Sequence, residues 1–125
     1  MASPAEQLRA AMLARLRAWE AFSAGVAARI AEAQTAEFPC AWVGVTAADA
    51  GDFIDLLATV HVWDRAGEPA ASGLLEEART ALAEPPPVEE LNVVSWQLDH
   101  SEVRADEEQA AHHGLVRFRA RVRSG

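Results

Sequence analysis

Four histidines, one cysteine, several acidic pairs and a run of alternating arginines are the side chains here with chemistry to offer. His61, His100, His112 and His113 raise the question of a metal. His112 and His113 are adjacent, and adjacent strand residues point to opposite faces, so the two cannot ligate one ion without a bulge. No Cys–His or His–carboxylate spacing of zinc type is present. The histidines therefore read as partly exposed polar side chains. Cys40 follows Pro39 at the start of an apolar strand and has no electropositive neighbour in sequence, which is the setting of a buried thiol rather than an activated nucleophile. Glu76–Glu77, Glu89–Glu90 and Glu107–Glu108 are sequence neighbours on expected surfaces and read as solvated charge, not as an acid–base pair. The glycines form no phosphate-cradling loop. No catalytic residue, cofactor or metal is assigned, and the chain does not read as an enzyme.

The arginines are more informative. The net charge is −8 and all eleven basic residues are arginine. Four of them, Arg117, Arg119, Arg121 and Arg123, alternate in the last nine residues, so an acidic body ends in a basic strand. Two readings stay open. The stripe is either a solvated, edge-protecting face or a contact surface for acidic groups on a neighbouring subunit or partner, since guanidinium pairs carboxylates bidentately. The acidic total argues against general nucleic-acid binding.

The elements that must position these residues follow from periodicity. Residues 52–64 alternate: Ile54, Leu56, Ala58, Val60 and Val62 form an apolar face, while Phe53, Asp55, Leu57, Thr59, His61 and Trp63 form a mixed one. Trp63 is the candidate anchor for an interface on that mixed face. Past Gly67 the period becomes helical, with Ala71, Leu74, Leu75, Ala78, Ala81 and Leu82 on one stripe. Pro69 suits the first turn, and Pro85–Pro87 end the helix. At the N-terminus, Ser3-Pro4-Ala5-Glu6 is a capping box opening a helix expected to reach about Phe22 and to end at Gly25.

Residues 26–38 read either as an Ala-rich helix or as a short strand near Ile30. A strand over 38–45 and a polar turn over 46–51 lead into the central strand. The last third is a β-hairpin whose turn is the charged run 104–109. Val94, Trp96 and Leu98 are expected on the apolar face of its first arm, and Gly114, Val116, Phe118, Ala120 and Val122 on that of the second. Opposing apolar to apolar pairs Leu98 with Phe118, Trp96 with Ala120 and Asp99 with Arg117. The prediction is a single α+β domain over 1–125, with an antiparallel or mixed sheet of about four to five strands and two main helices packed on it.

Half of the 125 residues are apolar, enough for a core without disulfides or metal. A lone cysteine fits a reducing compartment. No signal peptide and no membrane span are expected.

The order of segments resembles one family. An N-terminal helix is followed by Gly-Val-x-x-Arg-Ile (25–30) and Phe-Pro-x-x-x-x-Gly (38–44). His-Val-Trp-Asp-Arg-x-Gly (61–67), an Ala/Leu helix and the closing Gly-Leu-Val-Arg-Phe-Arg-Ala (114–120) complete it. This is similar to the tail-terminator or tail-completion proteins of long-tailed bacteriophages and phage-like gene transfer agents. Residues 31–36 depart from the pattern, being Ala-rich where family members commonly have a Tyr- or Pro-containing strand and loop.

The resemblance implies a structural virion protein, made in the host cytoplasm, that assembles as a ring, typically a hexamer, on the head-proximal end of the tail tube. Such a ring stops polymerisation and faces the head–tail connector, so its implied partners are its own copies, the tail tube protein and the connector. On this reading Arg117, Arg119, Arg121, Arg123, Asp99 and Trp63 form the subunit or partner interface. The alternatives are a connector protein of the same particle, or a small cytosolic ligand-binding domain.

Overall fold

The computed structural model describes residues 3–26, 30–31, 38–88 and 90–123. Helix α1 (Pro4–Ala18) starts where the sequence requires, with the Ser3 hydroxyl accepting the Glu6 N–H at 3.2 Å. It buries Leu8, Met12, Leu13 and Leu16. The helix does not run on to Phe22. It breaks at Trp19, whose backbone is extended (φ −86°, ψ 97°), and a separate α2 (Glu20–Val26) follows. Trp19 caps both pieces. Its N–H closes α1 on Leu16, and its carbonyl accepts from Phe22 at 3.0 Å and Ser23 at 2.8 Å. Its indole Nε1 donates to Glu77 at 3.2 Å, which ties the corner to the third helix. Gly25 therefore lies inside α2 rather than beyond it.

The ambiguous stretch resolves only in part. Ile30–Ala31 form β1, paired in parallel with β2 (Cys40–Ala50). Residues 27–29 and 32–37, with the rest of the expected helix or strand, lie outside the described residues. Strand β2 is longer than anticipated, because residues 46–50 are strand and not a turn. The turn shrinks to Gly51-Asp52, flanked by the pair Ala50–Phe53, with Gly51 at φ +71°, a conformation that suits glycine in a tight hairpin.

Strand β3 (Phe53–Asp64) pairs with β2 and with β5 (Ala111–Arg123), and β4 (Val93–Asp106) pairs with β5. The sheet order is β1-β2-β3-β5-β4, antiparallel except at β1. Between β3 and β4 in the chain runs α3 (Glu68–Ala81), with Pro69 in its first turn and Leu82 closing it before the prolines. The fold is α+β.

The hairpin register holds in its middle and shifts at both sides. Leu98 opposes Phe118 and Trp96 opposes Ala120, as expected. Asp99 is displaced by a bulge, so that His100 opposes Arg117. A second irregularity at Val94 puts Val93, not Val94, opposite Val122. Val94 is left 41% exposed while Val93 packs on the core. The strand also continues through Arg104 to Asp106, shortening the turn.

The three helices among the described residues cover one face of the sheet. Leu56, Ala58, Val60 and Val62 of β3 and Val116, Phe118, Ala120 and Val122 of β5 are buried against Leu8, Met12, Leu16, Phe22, Ala71, Leu75 and Ala78. Each large side chain so buried contributes roughly 1.5–3 kcal/mol. Gly114 is part of this packing: a Cβ there would lie 3.0 Å from Val62 and 3.5 Å from Leu75. Trp96 closes the edge, stacking on Phe118 at 4.9 Å and donating its indole N–H to the Leu82 carbonyl at 2.8 Å.

Candidate functional site

Among the described residues no helix covers the opposite face of the sheet. Register places Trp63, His61, His113, Arg117, Arg119, Arg121 and Arg123 there, and Asp99 joins them through its contacts with Arg117 and Arg119. His112 lies on the other face. The side chains of the uncovered face fall in two zones.

At one end four rings stack across three strands. Trp42 of β2 lies 4.1 Å from His61 of β3, centroid to centroid. Trp63 lies 4.5 Å from His113 of β5, with ring planes only 3° apart. His61 Nδ1 and His113 Nε2 are 2.9 Å apart, so the two imidazoles share one proton between facing nitrogens. Gly44 makes room for the stack, because the Trp42 ring lies 2.8 Å from where a Gly44 Cβ would be. Burial, and then the neighbouring His113, lower the His61 pKa to about 4; burial likewise lowers that of His113. Both rings are therefore neutral at pH 7.

The adjacent histidines do separate, His113 into the stack and His112 to the other face beside Asp64. His61 and His113 are partly exposed, as anticipated, and in addition they are partners in the ring stack. Among the described residues no group of three or more His, Cys, Asp or Glu gathers as a metal would require. Cys40 is buried.

Trp63 does not stand out as an exposed anchor. It is 4% exposed, and its contribution is to support the stack. Among the described residues neither its Nε1 nor that of Trp42, both buried, has a hydrogen-bond acceptor.

At the other end lies the arginine stripe, paired within the chain. Arg121 grips Asp55 of β3 with Nε at 2.6 Å and Nη2 at 2.9 Å. Arg117 Nε donates to Asp99 at 2.7 Å, and Arg119 reaches the other oxygen of Asp99 at 3.2 Å. The Arg117–Asp99 bond forms although the bulge removes Asp99 from direct opposition. These hydrogen bonds hold both carboxyls below the usual aspartate range, and Asp55 in turn raises the Arg121 pKa. Arg123 and Arg121 lie over the Phe53 ring at 5.4 and 5.2 Å.

The sequence reading did not single out Asp55. Its signal was its place on the mixed face of β3, and seeing its role requires knowing that β5 is the neighbouring strand. The arginines remain in contact with solvent: the side chains of Arg119 and Arg121 are 62% and 44% exposed. Beside them a groove of about 200 Å³ is lined by Thr46, Ala47, Ala48, Asp55, Leu56, Leu57 and Arg119. The face thus presents partly exposed guanidinium groups beside a shallow groove.

A chain in a solved structure described as "Virion of native gene transfer agent (GTA) particle" superposes with a TM-score of 0.68 at 20% identity, covering 94% of this chain and 95% of that one; the two share a fold. No curated protein sequence matches. The family described as "Tail completion protein gp17" matches residues 10–123, and the chain belongs to that family.

Proposed function

We propose that this protein is a non-enzymatic structural subunit of a phage-type tail. It forms a ring, in the expected case a hexamer, on the head-proximal end of the tail tube, ends tube polymerisation there and presents the surface for head joining. The observation that carries this reading is membership of the tail completion family over residues 10–123. The shared fold with a chain of a gene transfer agent virion, over nearly the whole of both chains, supports it.

The geometry is compatible in kind. A closed ring needs two unlike, complementary patches on each subunit. Outside its closing strand the chain is strongly acidic, and one face of the sheet is rich in arginine. On this reading Arg117, Arg119, Arg121 and Arg123, with Asp99 shared among them, meet acidic groups of a neighbouring subunit, tail tube protein or connector, while Trp63 underpins the face from within.

Light scattering over a concentration series, with negative-stain imaging, tests the reading both for the protein alone and after mixing with purified tail tubes. A ring in solution, or a cap at one end of each tube, is the expected result. Failure to form a ring and to bind tubes overturns the proposal.

A further inference from the structure

Among the described residues both edges of the sheet are unpaired along part of their length, and they differ along it in a way that points to their use. Among the described residues, β2 has a neighbour on its outer side only at Ala41 and Trp42, where β1 pairs. The remainder of that edge, residues 43–50, carries one charge, Asp49, and is otherwise Val, Gly, Thr and Ala, with residues 46–49 exposed. It has no lysine, proline or bulge to deter pairing.

The other edge, β4, is split. Residues 100–106 carry His100, Glu102, Arg104 and Asp106, whereas residues 93–98 (Val-Val-Ser-Trp-Gln-Leu) carry no charge. Among the described residues three large apolar side chains are exposed, two of them on the uncharged stretch of β4 and one on β3 next to β2. Val94 (41%) and Leu98 (43%) lie on β4, and Leu57 (37%) lines the groove beside β2.

Direction and height also agree. β2, β3, β5 and β4 alternate in direction, so a second copy in the same orientation brings its β2 antiparallel to β4. Following the register across the sheet, Val45, Ala58, Phe118 and Leu98 lie in one row, and Thr46, Leu57, Arg119 and Gln97 in the next. The two uncharged stretches therefore sit at the same height on opposite edges. Continuing the rows into a second copy sets its Val45 beside Leu98, its Thr46 beside Gln97, and its small Ala47 beside Trp96.

The geometry points to the free stretch of β2 as the acceptor for residues 93–98 of β4 from a second copy of this chain, joining neighbouring subunits by a continuous antiparallel sheet. The inference rests on the ring reading and names the contact that closes it. One edge pairs with an unlike edge, which is the heterologous contact a ring needs and a two-fold dimer does not use.

Cysteine cross-linking separates this contact from assembly itself. In a Cys40→Ala background, Thr46→Cys or Ala48→Cys chains are mixed with Ser95→Cys or Gln97→Cys chains under mild oxidation, with tail tubes present. The four pairings allow for a two-residue shift in register. Light scattering and imaging of the same samples report ring formation. Rings together with a disulfide-linked dimer in at least one mixture, absent when any variant is oxidised alone, are expected. Rings with no cross-link in any of the four mixtures overturn the edge pairing and leave the ring reading standing. No rings, with variants whose melting temperatures match the parent, overturn both.

Discussion

Arg121 holds both carboxylate oxygens of Asp55, one from Nε at 2.6 Å and one from Nη2 at 2.9 Å, across the β3–β5 pair. A bidentate pair of this kind fixes the guanidinium in the plane of the sheet face. It also removes most of its charge from what a partner would feel. The basic stripe is therefore less basic than its sequence, and its unequal members are the ones to test.

Arg119 shares Asp99 with Arg117 and makes the longer contact, 3.2 Å against 2.7 Å. Arg123 lies against Phe53. Replacing both Arg119 and Arg123 with Glu is expected to weaken ring or tube attachment while leaving the melting temperature nearly unchanged, because exposed ion pairs add little to stability. Asp55→Asn removes the negative partner of Arg121 and should tighten attachment to an acidic surface, with a steeper loss on added salt. Tube co-sedimentation at two ionic strengths reads both effects. Unchanged attachment by the double Glu variant assigns the stripe to solvation.

What the sequence made legible, and what it hid, follows from the range of the interactions. The two faces of β3 were readable because alternation is local, and five consecutive apolar positions from Ile54 to Val62 leave no choice of face. The bulge at Asp99 was not readable. It displaces one residue on one strand, and the flanking residues satisfy the alternation either way. At Val93–Val94 two identical neighbours carry no information about which one enters the core. The break at Trp19 has no glycine or proline to announce it, and its stabilising contact to Glu77 comes from 58 residues away. The burial of Trp63 likewise depends on His113 arriving from another strand. The arginine stripe and the Arg117–Asp99 contact were visible in the pattern, although the bulge replaces direct opposition by a diagonal approach, while the partner Asp55 depended on strand order.

Trp96 joins an edge strand to the end of α3 through its indole N–H on the Leu82 carbonyl at 2.8 Å. Trp96→Phe keeps a ring to stack on Phe118 but leaves that carbonyl without its donor. The expected loss is about 1–3 kcal/mol, the cost of a buried polar group left unpaired. Chemical denaturation measures it, with an unchanged slope against denaturant showing that the fold is retained. A loss below about 0.5 kcal/mol would mean that water replaces the bond freely.

Two glycines are expected to fail differently when filled. Gly114 faces Val62, Val103 and Leu75 at 3.0, 3.4 and 3.5 Å from a Cβ position, so Gly114→Val overpacks the interface between sheet and α3. A destabilisation of about 1–3 kcal/mol is expected, without loss of the ring stack on the other face. Gly44→Ala instead meets the Trp42 ring at 2.8 Å and must push the indole aside. Near-ultraviolet circular dichroism should register a change in the aromatic stack for Gly44→Ala and not for Gly114→Val.

The paired imidazoles make a pH-dependent stability the natural consequence of the ring stack. His61 titrates near 6.5 when unfolded and about 4 when folded, from burial first and then His113. The His113 pKa is also lowered by burial, against Asp106 and Glu102, which favour its charged form, and with Arg104, which opposes it. Below pH 6.5 the unfolded chain binds protons that the folded chain refuses, so stability falls as pH drops towards 4. The carboxylates do not share this window. Asp55 and Asp99 are lowered from 3.8 and Glu102 from 4.5, so their contribution fades only under more acidic conditions. Between pH 6.5 and 4.5 the slope is expected to stay under about 1.4 kcal/mol per pH unit for each histidine, reduced by the solvent that reaches the partly exposed rings. His61→Phe preserves an aromatic ring and deletes the titration. Its melting temperature should vary less than the parent's across that window, with His113 alone supplying the remainder. A parent melting temperature that stays flat from pH 6.5 to 4.5 would show that both rings can accept protons within the stack.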